Sequence, residues 1–94
     1  MRYYSKQVRA RVETGPDTLG LQLARRALQH ELSVVELSFL LGTARATIYN
    51  WFAGKPVANA YRPSVQKLIH ILVRARSRRA AWSAACSHFN RTNF

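Results

Sequence analysis

The chain has 94 residues, of which 48% are hydrophobic and 20% charged, a composition that excludes an intrinsically disordered protein and leaves room for one small folded core. Lysine and arginine total 15 against four acidic residues, so the formal net charge is +11. This charge favours a polyanionic partner, with nucleic acid ahead of an anionic membrane. No segment approaches the roughly 18 consecutive apolar residues of a spanning helix, so we expect no membrane insertion.

The charges are unevenly distributed along the chain. Positions 43–94 carry nine basic residues and no acidic one, and this positive half suits fast, salt-sensitive association with DNA. The acidic residues all precede position 37: Glu13, Asp17, Glu31 and Glu36. Cys86 is the single cysteine and the first ten residues contain no apolar leader, so we expect no intramolecular disulfide and a cytoplasmic, nucleoid-associated location.

Residues 1–16 are predicted to form a basic N-terminal arm that ends at the turn signal Gly15-Pro16. The alternation of apolar residues at positions 8, 10 and 12 leaves a short strand as the alternative. The bases of the arm are candidate DNA contacts: Arg2, Lys6, Arg9 and Arg11.

The next segment carries the signals of two short helices. Asp17 or Thr18 can cap a first helix, whose inward apolar stripe recurs with helical spacing from Leu21 to Leu28. The capping box Ser33-Val34-Val35-Glu36 predicts the start of a second helix, because the serine hydroxyl and the glutamate carboxylate can each accept a hydrogen bond from the other residue's amide. Gly42 predicts the end of this helix, since glycine readily adopts the positive φ of a sharp turn.

A third helix is predicted to begin at Thr43 or Ala44 and to stop at Gly54, covering about residues 44–53. Its large apolar residues share one face, which we expect to pack inward: Ile48, Trp51 and Phe52. The opposite face is therefore expected to be open to solvent or to a partner.

Two more helices are predicted in the C-terminal part. The fourth has Asn59 as its cap or Pro63 in its first turn, and its apolar stripe runs to Leu72. Arginines at positions 74, 76, 78 and 79 interrupt the stripe, so this stretch is either a solvated helical extension or a linker. A renewed stripe predicts a fifth helix that serves either core packing or a dimer seam: Trp82, Ala85, Cys86 and Phe89.

These elements predict an all-α fold of four to five short helices, with a domain over residues 17–73 and a basic C-terminal extension over residues 74–94. The stretch from Leu32 to Gly54 carries a leucine-serine pair, a glutamate three residues after the serine, a turn glycine and a terminal glycine. In this order and spacing it resembles the lambda-repressor-like helix-turn-helix family, which includes the Cro and Xre types. The following Asn59-Ala60-Tyr61 is similar to the link before the fourth helix in that family.

The resemblance implies a sequence-specific double-stranded DNA-binding transcriptional regulator, repressor-like and homodimeric, with the third helix in the major groove. It implies base contacts from Ala44, Arg45, Ala46, Tyr49 and Asn50. Arg45 suits guanine and Asn50 suits adenine. Phosphate contacts are implied for the backbone amides of Ser33 and Val34 and for Lys55, Asn59 and Arg62.

Two positions depart from the family pattern. Val34 stands where many relatives carry glutamine, and Glu31 stands where glycine is common. An apolar Val34 on the surface, together with Tyr49, favours an alternative in which the protein acts through protein contacts, as an anti-activator, an antitoxin subunit or an inhibitor from a mobile element. A sequence-indifferent nucleic-acid binder is the other alternative.

The sequence contains no pattern that predicts catalysis. Its three histidines, His30, His70 and His88, and its one cysteine lack the spacing of zinc ligands. Neither a glycine-rich phosphate loop nor a carboxylate pair near a plausible cleft occurs. We therefore expect no enzyme activity, no cofactor and no metal.

Overall fold

A computed structural model describes residues 18–91, and the predicted basic arm, with Arg2, Lys6, Arg9 and Arg11, lies outside this range. The described residues contain no strand and form five helices: α1 Leu19–Gln29, α2 Val34–Leu41, α3 Arg45–Phe52, α4 Arg62–Arg74 and α5 Arg78–His88. The all-α prediction is confirmed. None of these helices is both long and apolar enough to cross a membrane.

Local side-chain caps begin the first two helices. The Thr18 hydroxyl accepts a hydrogen bond from the Leu21 amide at 3.2 Å and starts α1. The predicted capping box of α2 is confirmed, because the Ser33 amide donates to Glu36 Oε1 at 2.9 Å and the Glu36 amide donates to Ser33 Oγ at 3.1 Å. Two donors that the helix itself leaves unpaired are satisfied in this way.

Glycine and proline set the boundaries of the later helices. Gly42 ends α2 with a φ of +65°, and its amide donates to the Ser38 carbonyl, as the sequence predicted. The next helix begins at Arg45 with Ala44 as its N-cap. At α4 the second of the two predicted starts is correct, because Tyr61 is the N-cap and the proline lies in the first turn, while Asn59 precedes the helix.

One buried apolar cluster contains residues from all five helices. Examples from α1 to α5, in order, are Leu21, Leu37, Ile48, Leu68 and Ala85. The loop between α3 and α4 adds Val57, which is also buried. The largest interface lies between α1 and α4, while α3 packs against α1 and α2. The core therefore contacts α3 on one face of the helix.

The C-terminal helix belongs to this same core. The chain breaks between α4 and α5 at Ala75, so the arginine-rich stretch is not one continuous helical extension: Arg74 ends α4, Arg76 lies in the connection, and Arg78 and Arg79 begin α5. Ala85 and Cys86 have only 0% and 5% of their surface exposed. Of the two roles that the sequence left open, core packing is the one that the structure shows for these side chains, because contacts within one chain already cover them. Trp82 stacks on Phe39 of α2 with ring centroids 6.0 Å apart, and Phe89 is half-buried against the core.

Candidate nucleic-acid interface

The outer face of α3 carries every residue for which a base contact was predicted. Ala44, Arg45, Ala46, Tyr49 and Asn50 are all exposed, and 52% of the Tyr49 surface is accessible. The inner face of the helix is buried through Ile48, Trp51 and Phe52. The 3.6-residue period places positions 45, 46, 49 and 50 side by side. The helix thus presents one polar and aromatic face while its opposite side is fixed in the core.

A close contact between Gly20 of α1 and Trp51 determines how near α3 lies to α1. An ideal Cβ built on Gly20 would lie 2.7 Å from both the Cβ and the carbonyl oxygen of Trp51. The other side of Trp51 meets Tyr61 edge-on, with ring centroids 5.7 Å apart. Gly20 was not singled out from the sequence, where a glycine in the first turn of a helix indicates only a weak helix former. Its role follows from the packing of two helices that are distant in sequence.

The N-terminus of α2 offers fewer free donors than the sequence predicted. The Ser33 amide, expected to bind phosphate, donates to the Glu36 carboxylate instead. The Val34 amide at the first helical position remains among the donors that a helix does not use internally. The Val34 side chain has only 3% of its surface exposed, so the prediction of an apolar contact surface at this residue is wrong. The Val34 side chain packs in the core because it lies on the inward-pointing face of α2, together with Leu37 and Leu41.

The remaining predicted phosphate contacts lie at the surface after α3. Lys55, Asn59 and Arg62 are exposed, the first two in the α3–α4 loop and the third at the start of α4. The Lys55 amide donates to the Asn50 carbonyl at 3.1 Å, which ties the loop to the end of α3. Neither Lys55 nor Arg62, nor Arg45 on α3, makes an ion pair with another residue in the range 18–91. Their charges are therefore available to an anionic partner.

Two arginines from the C-terminal part support α2. Arg78 forms an ion pair with Glu36, so the carboxylate that caps α2 is also neutralised by a cation. Arg91 donates from Nε to the Leu40 carbonyl at 3.4 Å, and its guanidinium lies beside Gly42 at the turn into α3. These contacts join residues 42 and 51 positions apart, and no local sequence signal indicates them.

No protein-family model, no curated protein and no solved structure matches this chain.

Proposed function

We propose that the protein is a sequence-specific double-stranded DNA-binding regulator of the repressor-like, helix-turn-helix type. The observation that carries the proposal is the outer face of α3, which is exposed and follows a glycine turn, while the inner face of the helix is buried. Two short helices joined in this way are typical of proteins that insert the second helix into the major groove. The excess positive charge of the chain supports a polyanionic ligand.

Each exposed group has a suitable counterpart on DNA. The Arg45 guanidinium fits guanine O6 and N7 in a bidentate contact, the Asn50 amide fits adenine, and the Ala46 methyl fits a thymine methyl. Lys55 and Arg62, which have no acidic partner among residues 18–91, would bind phosphates and hold the helix in register. Base contacts would then provide sequence preference, and phosphate contacts most of the affinity.

A homodimer that reads two half-sites about one helical turn apart is part of the proposal. Since Ala85 and Cys86 are buried within one chain, the dimer contact would have to use other surfaces. The accessible parts of Trp82 and Phe89 remain available to it.

The test compares Arg45→Ala with Arg79→Ala in binding to duplexes selected from a random pool at a stated salt concentration. Both arginines are exposed and both changes remove one positive charge, but Arg79 lies on α5, outside the proposed reading face. We expect Arg45→Ala to lose about 1–3 kcal/mol, roughly 5- to 150-fold in affinity, and to relax preference at one base pair. The Arg79→Ala protein should keep its base preference.

Three results would contradict the proposal in different ways. Unchanged affinity and preference in Arg45→Ala would exclude Arg45 from base reading. Equal affinity for scrambled duplexes would indicate the sequence-indifferent binder. Absence of salt-dependent duplex binding, together with a stoichiometric protein partner, would indicate the protein-contact function, for which exposed Tyr49 is the remaining support.

A further inference from the structure

A trough of about 550 Å³, open to solvent, lies between α4 and α5. On α4 it follows one face from Lys67 to Arg74, where the lining residues recur at intervals of three and four and span about 10.5 Å, or roughly two helical turns, and the C-cap Ala75 continues the lining. On α5 the trough is lined by Ala80 and Ala84, one turn apart. Its length and open shape suit a short helix lying along it.

The rim of the trough carries positive charge that no acidic residue among positions 18–91 neutralises. Lys67, Arg74 and Arg76 line it, all are exposed, and none forms an ion pair with a residue in the described part of the chain. Glu31 and Glu36 are the acidic residues of that part, and the second of these binds Arg78. Three like charges around one depression favour an occupant of opposite charge.

The floor of the trough is apolar and made of small side chains. Ile71 and Ala75 are half-buried, while Ala80 and Ala84 are exposed. Methyl groups at a spacing of four residues allow another helix to approach closely, and their burial by that helix would be favourable. An occupant with apolar groups beside its anionic groups satisfies both floor and rim, whereas a phosphate backbone has no apolar face.

We propose that this trough docks an acidic amphipathic helix of a partner protein. A second copy of this chain is a poor fit, because the chain has four acidic residues against 15 basic ones and a symmetric contact would bring the rim cations together. The partner therefore supplies carboxylates to the rim and apolar side chains to the floor.

The trough and the proposed DNA-reading face are at separate places on the fold. Tyr61, which contacts Trp51 of α3, directly precedes α4, while Ile71 lies nine residues into the helix from Arg62, about 14 Å along its axis. The lining residues include none from α3. Partner docking does not require that the chain binds DNA, and both ligands can bind at once.

The test uses the full chain and three synthetic 14-residue peptides at 150 mM salt. One peptide places glutamates and leucines on adjacent faces of a helix, one is its scrambled isomer of identical charge, and one replaces every glutamate by glutamine. We expect the amphipathic acidic peptide to bind at least about tenfold more tightly than either control. Backbone amide shifts of the labelled protein should cluster between positions 67 and 84. Equal binding of the scrambled isomer, or no binding of the first peptide, would overturn the proposal.

Arg76→Glu and Arg79→Glu form a matched pair of variants. Both residues are exposed arginines three positions apart, but only Arg76 lines the trough. We expect Arg76→Glu to weaken peptide binding about tenfold and Arg79→Glu to change it less than about threefold. Equal losses would show general charge attraction and reject a specific trough. If duplex DNA alone shifted the amide signals of the trough residues, the trough would instead be a nucleic-acid site. The Arg45→Ala protein should bind the peptide normally, so failure of the DNA proposal and failure of this one are distinguishable.

Discussion

Replacement of Gly20 by alanine tests the close contact that positions α3. The added methyl would lie 2.7 Å from the Cβ and from the carbonyl oxygen of Trp51, and 3.0 Å from its carbonyl carbon. Two of these three atoms belong to the backbone of α3, so no side-chain rotation can relieve the clash. The two helices would have to move apart. Because the interior is close-packed, this movement would weaken van der Waals contacts and lower the stability of the fold.

The expected loss of stability follows from two opposing effects. Overpacking costs about 1–3 kcal/mol, and the rigid backbone contact puts Gly20→Ala at the upper end. Alanine is a better helix former than glycine, and this difference offsets up to about 1 kcal/mol of the stability loss. The net loss is then about 2 kcal/mol, which for a domain of this size lowers the midpoint of thermal unfolding by roughly 8–16 °C.

Thermal unfolding followed by far-ultraviolet circular dichroism measures this change. Gly54→Ala is an informative control, because Gly54 has a φ of +96° and a Cβ added there would meet no atom within 4 Å, so its cost comes from backbone strain and not from a clash. An unchanged or raised midpoint in Gly20→Ala would contradict this prediction, since it would mean that α1 and α3 can separate freely and that helix propensity decides the outcome.

Two further predictions concern other single residues. Glu31 has a φ of +57°, so Glu31→Gly should raise stability by about 0.5–1 kcal/mol by removing left-handed strain; a lower unfolding midpoint would contradict this. Burial raises the pKa of the Cys86 thiol, so stability from the neutral thiol is fully present below the ordinary pKa and declines as the pH rises through the raised value. Alkylation of native Cys86 at pH 8 should therefore be slow and should accelerate in denaturant, and a fast reaction in the native protein would show that the thiol is accessible.

Local signals explain which parts of this fold could be predicted from sequence. The capping box at Ser33 and Glu36 and the turn at Gly42 were predicted correctly because each depends on residues within four positions. The two faces of α3 were predicted for the same reason, since apolar spacing along one short helix determines which side is buried.

The features that sequence analysis missed are contacts between distant segments. Gly20 is important only because Trp51 packs against it, and Arg78 is important only because Glu36 lies beside it. The Val34 side chain was assigned to the surface because one apolar residue at a helix start does not show which way the helix faces. The apolar stripe of α5 was equally compatible with a core and with a dimer seam, and the tertiary packing decided for the core at Ala85.

Net charge illustrates the same limit for function. A value of +11 favours an anionic ligand, but the cations of the two proposed surfaces lie at separate places, with Lys55 and Arg62 near α3 and Lys67, Arg74 and Arg76 around the trough. Around the trough the cations lie beside Ile71 and three alanines, whereas the exposed groups of α3 are the ones proposed to contact base edges. The neighbouring side chains, and not the total charge, therefore determine which anion suits each surface.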